Sequence, residues 1–295
     1  MDPYQEATWA VRRHFRAGEY QQALPAAQRL WDDFPAERHF SCWMLASAQY
    51  LTNDFAGALA TIEHANDQDL LWRIWMFDRP DVFERLRDEP EFRAAMDRAR
   101  ARIAALNLRP GLTLAEPAEP SGGLVLGFHG ATSTPQTIID PWRPATATGW
   151  TIAAVHSTQP ATASSQCWDN PEIVHRDVTA VSPELPPHQR LILAGFSQGA
   201  ATALDVLESG VLDRASRVIG VCPGFPGRGA PALTSPPVDI RIIVGADDPY
   251  AESTLVVLDK YRTQGHLVTV EVLPGLGHAY PDDFAARLPA LLAAD

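Results

Sequence analysis

The chain has almost no lysine. Of its 24 basic residues 23 are arginine, and Lys260 stands alone. Against 36 acidic residues this leaves a formal net charge of −12, and no run of basic residues interrupts the acidic excess. Nucleic acid and anionic membrane surfaces attract such runs, so neither is expected as a partner. Cysteine is scarce as well. Cys42, Cys167 and Cys222 are far apart and odd in number, which offers neither a disulfide framework nor a zinc site and fits a reducing cytoplasm. No apolar stretch approaches the ~20 residues of a membrane span. The opening residues, Met1 to Glu6, carry no positive and then apolar leader, so no secretory signal is expected. Phosphate loops, dinucleotide fingerprints and metal-ligand clusters are missing too, and no cofactor is implied.

What is present changes character about a third of the way along. Up to residue 108 apolar residues recur at helical spacing, as in Trp9, Val11 and Phe15, then Leu24, Ala27, Leu30 and Trp31. A repeat lies within this region. Ala17-Gly18-Glu19-Tyr20-Gln21-Gln22-Ala23-Leu24 returns as Thr52-Asn53-Asp54-Phe55-Ala56-Gly57-Ala58-Leu59. The offset is 35 residues, near the ~34 of a tetratricopeptide unit. Each unit would be a pair of antiparallel helices, with Pro35 ending the second helix of the first pair. Val82–Phe92 reads as the segment that closes such an array, and a helix from Glu91 to about Leu106 as its cap. So short an array is marginal alone, so the region is expected to dock on the rest of the chain, on a second copy or on a protein partner.

Residues 109–122, rich in proline and glycine, read as a linker with one short strand at Leu112–Ala115. From residue 123 to 295 short apolar runs alternate with helical stretches. The strands are expected at Leu124–Phe128, Ile152–Val155, Leu191–Ala194, Val218–Val221, Ile240–Val244 and Leu267–Leu273, and the helices at 173–181, 198–209, 251–264 and 281–293. Strands alternating with helices predict an α/β fold with a mostly parallel sheet covered on both faces.

Within this second region Gly195-Phe196-Ser197-Gln198-Gly199 follows a strand and precedes an alanine-rich helix. That is the context in which G-x-S-x-G forms a sharp elbow that lifts a serine hydroxyl clear of the sheet. A serine hydroxyl needs a base to take its proton and a third group to orient the base. In this fold class the order is serine, acid, histidine. Asp247-Asp248-Pro249 ends one strand and Gly277-His278 follows the last. Asp248 is preferred over Asp247 because it lies three residues past the strand-ending glycine and directly before proline; Asp247 remains open. His278 is the histidine on a glycine-flanked loop. The oxyanion donors would be the amides of Gln198 and of Ala131, in the loop after Leu126-Gly127-Phe128-His129-Gly130. His129 reads as a residue packed beneath that loop. Trp168 reads either as a wall of the substrate pocket or as a tryptophan half-buried under a loop, and Cys222 as a buried structural thiol.

These motifs resemble those of α/β-hydrolases of the phospholipase/carboxylesterase group, which includes acyl-protein thioesterases. The likeness rests on His129-Gly130, Gly195 to Gly199, Gly245-Ala246-Asp247-Asp248-Pro249 and Gly277-His278, and covers about the last 175 residues. The loop after His129-Gly130 continues Ala131-Thr132-Ser133 where the group has Leu-Gly-Asp. The resemblance implies cleavage of a small-molecule or acylated ester or thioester through Ser197, His278 and Asp248. Two rivals stay open: an acyltransferase or peptide-processing enzyme using the same triad, and an interaction protein acting mainly through its helical repeats.

Overall fold

In a computed structural model, residues 3–77, 83–212, 215–225 and 236–293 are described. The chain divides into two compact units. One is Met1–Leu108 with Pro160–Ser165; the other is Arg109–Gln159 with Gln166–Asp295.

The first unit is helical: α1 (Pro3–Ala17), α2 (Tyr20–Asp33), α3 (Arg38–Leu51), α4 (Phe55–Asp67) and α5 (Pro90–Ala105), each packed on the next in sequence. The sequence repeat has a structural counterpart. Its two copies cover the α1–α2 and α3–α4 turns, and each turn holds one residue with a left-handed backbone at the same place in the repeat, Gly18 (φ 70°) and Asn53 (φ 67°). Tyr20 and Phe55 open the helices that follow, and Ala23 and Ala58 are both fully buried. Small buried residues at those two positions let neighbouring helices approach. α2 ends at Asp33, just short of Pro35, and Asp54 caps α4 by accepting a bond from Gly57 N–H at 2.9 Å. The expected closing segment begins at Val82, which lies outside the described residues. From Phe83 onward it is described, and Phe77, Phe83 and Phe92 stack in the core beside Trp72. The cap helix expected from Glu91 is α5.

The second unit carries seven strands: β1 (Gly111–Ala115), β2 (Gly123–Phe128), β3 (Trp150–His156), β4 (Arg190–Phe196), β5 (Ala215–Val221), β6 (Asp239–Gly245) and β7 (Leu267–Leu273). Their order is β1-β3-β2-β4-β5-β6-β7; β1 runs antiparallel to β3 and every other pairing is parallel. The stretch read as a linker therefore contributes the sheet's antiparallel edge, and the second unit begins at Arg109 rather than 123. The strands' apolar runs serve both faces. Leu124, Leu126, Leu193 and Val218 point into one core, filled by α7 (Pro171–Val181), α8 (Gln198–Ser209) and α9 (Ala251–Thr263). Val125, Ile192, Ala194 and Ile219 point into the other, filled by α6 (Gln136–Trp142) and α10 (Phe284–Leu292). Alternation sends successive residues to opposite faces, and both faces are covered along the middle of the sheet, so β2 to β6 each contain a continuous apolar run, whereas the edge strands β1 and β7 are partly exposed. Among the described residues no helix is long and apolar enough to cross a membrane.

Candidate active site

Parallel strands all end on the same side of the sheet, so the loops after β2, β4, β5, β6 and β7 gather there. The turn from β4 into α8 holds Ser197 at φ 54° and ψ −124°, a left-handed conformation that costs a non-glycine residue on the order of 1–3 kcal/mol. Its backbone is tied on both sides: Ser197 N–H donates to Val221 O and Gly224 N–H donates to Ser197 O, each at 3.0 Å. The flanking glycines have a steric reason. A Cβ on Gly199 would run into the carbonyl oxygens of Phe128 and His129, and one on Gly195 into the backbone of Gly199.

The structure brings Ser197, His278 and Asp248 together. Ser197 Oγ–H donates to His278 Nε2 at 2.8 Å, and His278 Nδ1–H donates to Asp248 Oδ2 at 2.9 Å. These directions follow from the carboxylate, which only accepts. Asp248 is buried, its side chain 1 % exposed against 22 % for His278. Burial pushes its carboxyl pKa up, but the bonds from His278 and from Tyr250 N–H outweigh this and leave it below the ordinary value. An ionised carboxylate is what holds the imidazole in the tautomer that presents a bare Nε2 to a hydroxyl. Asp247 is exposed, and its N–H donates to Leu276 O. Tyr250 meets the His278 ring edge-on at 5.2 Å, and the Phe196 ring lies tilted against His278 at the same centroid distance, 5.2 Å.

Gln198 is the first residue of α8, where a helix supplies no acceptor for the backbone N–H. The loop bearing Ala131 comes close to the elbow: a Cβ on Gly130 would sit 3.6 Å from Ser197 Cβ. Beneath it His129 is fully buried, and burial lowers its pKa to about 4, so it is a neutral ring. Its Nδ1–H donates to Gly130 O at 2.8 Å.

Trp168 is where the structure corrects the sequence reading of a pocket wall. It is 0 % exposed. Its indole Nε1–H donates to His129 O at 2.8 Å and its backbone N–H to Gln198 Oε1 at 3.0 Å, so it lies under the site and offers a substrate no surface. Gly224 is a site residue that sequence reasoning passed over. A Cβ there would lie 3.4 Å from Ser197 Oγ and 3.7 Å from Gln198 N. The open space beside the hydroxyl and the first helical amide thus depends on Gly224 having no side chain. Its place after Cys222-Pro223, at the end of β5, was the available signal.

Among the described residues, the side chains grouped closely enough to hold a metal ion are Cys222, Asp248 and His278, with ligand atoms within 4.8 Å of one another. Asp248 and His278 already bond each other. The Cys222 thiol sits 3.4 Å from Ala279 O and burial raises its pKa to about 12, so the group fits a proton relay with a thiol packed against it better than a cation site.

No family model matches the chain, and no curated protein matches its sequence. Solved structures do share its fold. The crystal structure of an uncharacterized protein from Bacillus cereus ATCC 10987 aligns with a TM-score of 0.51 at 15% identity over 98% of each chain. Esterase PE8 aligns with a TM-score of 0.51 at 18% identity, over 63% of this chain and 98% of that one. A carboxylesterase of Bacillus cereus aligns with a TM-score of 0.51 at 12% identity, over 63% and 94%. The likeness is one of fold, and the sheet-bearing unit has the α/β-hydrolase fold.

Proposed function

We propose that the chain is a serine hydrolase that cleaves a carboxylic ester or thioester through an acyl-enzyme. The observation that carries this reading is the relay Ser197 Oγ, His278 Nε2, His278 Nδ1, Asp248 Oδ2, with both links under 3 Å. Ser197 Oγ attacks the carbonyl carbon while His278 Nε2 takes its proton. The carbonyl oxygen becomes an anion held by the amides of Ala131 and Gln198. His278 then returns the proton to the leaving alcohol or thiol. Water, deprotonated by the same nitrogen, releases the acid and restores Ser197. Asp248 stays ionised throughout and stabilises the imidazolium. No step calls for a cofactor. Esterases with this fold among the solved structures support the reaction class, and the bare face at Gly224 supports entry of an acyl group beside Ser197.

The test is Ser197→Ala assayed on p-nitrophenyl acetate and a short acyl thioester. Loss of a triad nucleophile typically lowers kcat by 10⁴-fold or more. Turnover within tenfold of the parent would sink the assignment.

The helical unit we read as tetratricopeptide-like, with a protein partner or a second copy as its occupant. The 35-residue sequence repeat and the matched turns at Gly18 and Asn53 support this. Three buried cysteines that form no disulfide suit a cytoplasmic location.

A further inference from the structure

We propose that Trp168 is a positioning residue that locks the two oxyanion amides, those of Ala131 and Gln198, into one rigid frame. The proposal rests on the hydrolase reading above and adds how its oxyanion site is held.

Amides stabilise a developing oxyanion only if they already point at it, because turning them during the reaction consumes the gain. The two amides belong to different segments, the loop after β2 and the start of α8. The β2–β4 ladder joins the two chains only as far as Phe128 and Gly195, and beyond it Trp168 bonds to both segments. Its indole N–H fixes the carbonyl of His129, and its backbone N–H holds the side chain of Gln198. Gln198 is held a second time, donating from Nε2 to Asp169 Oδ1 at 2.8 Å. The Trp168 ring packs edge-on to Phe128, at 5.5 Å, and lies 4.7 Å from the His129 ring.

The peptide geometry gives the loop side of the frame its direction. No described peptide is cis. In a trans peptide the carbonyl and the following N–H point to opposite sides. His129 Nδ1–H draws the Gly130 carbonyl towards the buried ring, so the Ala131 N–H in the same peptide faces away from it. Trp168 supports that ring from beneath and fixes the carbonyl of the preceding peptide. Two successive peptide planes are set by one histidine and one tryptophan.

A brace must itself be immobile, and Trp168 sits in a closed polar web. Cys167 N–H donates to Gln159 O at 2.9 Å, and Ser157 Oγ–H donates to Cys167 O at 2.7 Å. Asn170 N–H donates to Gln159 Oε1 at 2.8 Å while Gln159 Nε2 donates to Asn170 O at 3.0 Å. Gln159 and the Asp177 carboxylate, which accepts from Thr158 N–H and Oγ–H, are both fully buried. Buried, satisfied networks of this kind have one arrangement, and the frame inherits it.

Two variants test this. Trp168→Phe keeps the ring and the backbone N–H but removes the indole donor. Gln198→Met keeps the backbone amide and side-chain length but removes both side-chain bonds. Each is expected to lower kcat on p-nitrophenyl acetate about tenfold or more, on the scale of a misaligned oxyanion donor, with KM changed less than threefold. Affinity for a trifluoromethyl ketone, which mimics the tetrahedral state, should fall by the same factor as kcat/KM. Because both act on one frame, the double variant should lose less than the product of the singles. Wild-type kcat in both variants would overturn the proposal. So would losses that track a fall in melting temperature with substrate and ketone affinity weakened alike, which is what simple packing predicts. An active Ser197→Ala instead overturns the hydrolase reading itself, whatever the brace variants do.

Discussion

Ser197 carries two opposed properties in one residue. Its backbone is strained at φ 54° and its hydroxyl is the group on which the proposed chemistry depends. Strain held at a site should be recoverable as stability once the function is given up. Ser197→Gly and Ser197→Ala both remove the hydroxyl, but only glycine relaxes the backbone. The glycine variant is expected to melt above the alanine variant by about 2–4 °C, roughly 1 kcal/mol after glycine's larger unfolded-state entropy is subtracted. Equal melting temperatures would show that the elbow stores no strain. Gly224 makes the complementary case. Its absent side chain leaves room, and a Cβ 3.4 Å from Ser197 Oγ is an ordinary contact that the resting fold tolerates. A carbonyl carbon must reach Oγ at about 3–3.5 Å, so that Cβ competes with the substrate. Gly224→Ala is expected to keep the melting temperature within about 2 °C while kcat/KM falls at least tenfold, read by steady-state kinetics on p-nitrophenyl acetate.

At the scale of elements, the buried strands were legible because a sheet covered on both faces leaves a short continuous apolar run, and β2 to β6 each contain one. Elements lacking that signature were harder to read. β1 is a half-exposed edge strand between prolines, which is why it sat inside a supposed linker. α6 has seven residues, includes Pro141 and follows a polar Thr-Ser-Thr-Pro run, so no helical period could build up. Asp248 was readable from its distance to a strand end, whereas the place of Trp168 depends on bonds to a backbone carbonyl 39 positions away and to a side chain 30 positions away, which no local pattern encodes. A further group of this kind lies on α8. Glu208 is buried on α8 beside Tyr261 of α9, with Asp205, itself bonded to His175, on the same helix. Burial, opposed by a bond from Tyr261 and reinforced to a smaller degree by repulsion from Asp205, raises its pKa from 4.5 to about 7. Between those values the folded chain keeps a proton that the unfolded chain has released, so its contribution to stability is lost as pH rises through this window. Glu208→Gln removes the titration and mimics the protonated form. The variant should match the parent's melting temperature near pH 4.5 and exceed it by several degrees at pH 8, the limit being about 3 kcal/mol for a shift of this size. A difference independent of pH would mean that Glu208 titrates normally.

For the molecule as a whole, the decisive fact is that each unit draws its buried apolar set from its own residues. The helical unit buries Val11 through Ala99, including Trp72, Phe77, Phe83 and Phe92. The sheet unit fills both faces from residues between Ala115 and Leu292. A fold that owns its core should survive alone if it is large enough, and the stretch of 187 residues from 109 to 295, which holds the whole sheet unit together with the Pro160–Ser165 segment grouped with the helices, is well within the size of independent domains. Every group of the proposed relay, its amides and the Trp168 brace lies in that stretch. Residues 109–295 expressed alone are therefore expected to fold, to show a single cooperative thermal transition, and to turn over p-nitrophenyl acetate with kcat within about twofold of the full chain. The full chain should show two transitions by calorimetry, one of them matching the fragment's, because cores that are not shared need not melt together. A fragment that folds with unchanged kcat but altered KM for longer acyl esters would assign the helical unit to substrate access. A fragment that does not fold would show that the 108 preceding residues are part of the hydrolase fold itself, and the two-domain reading would have to be withdrawn.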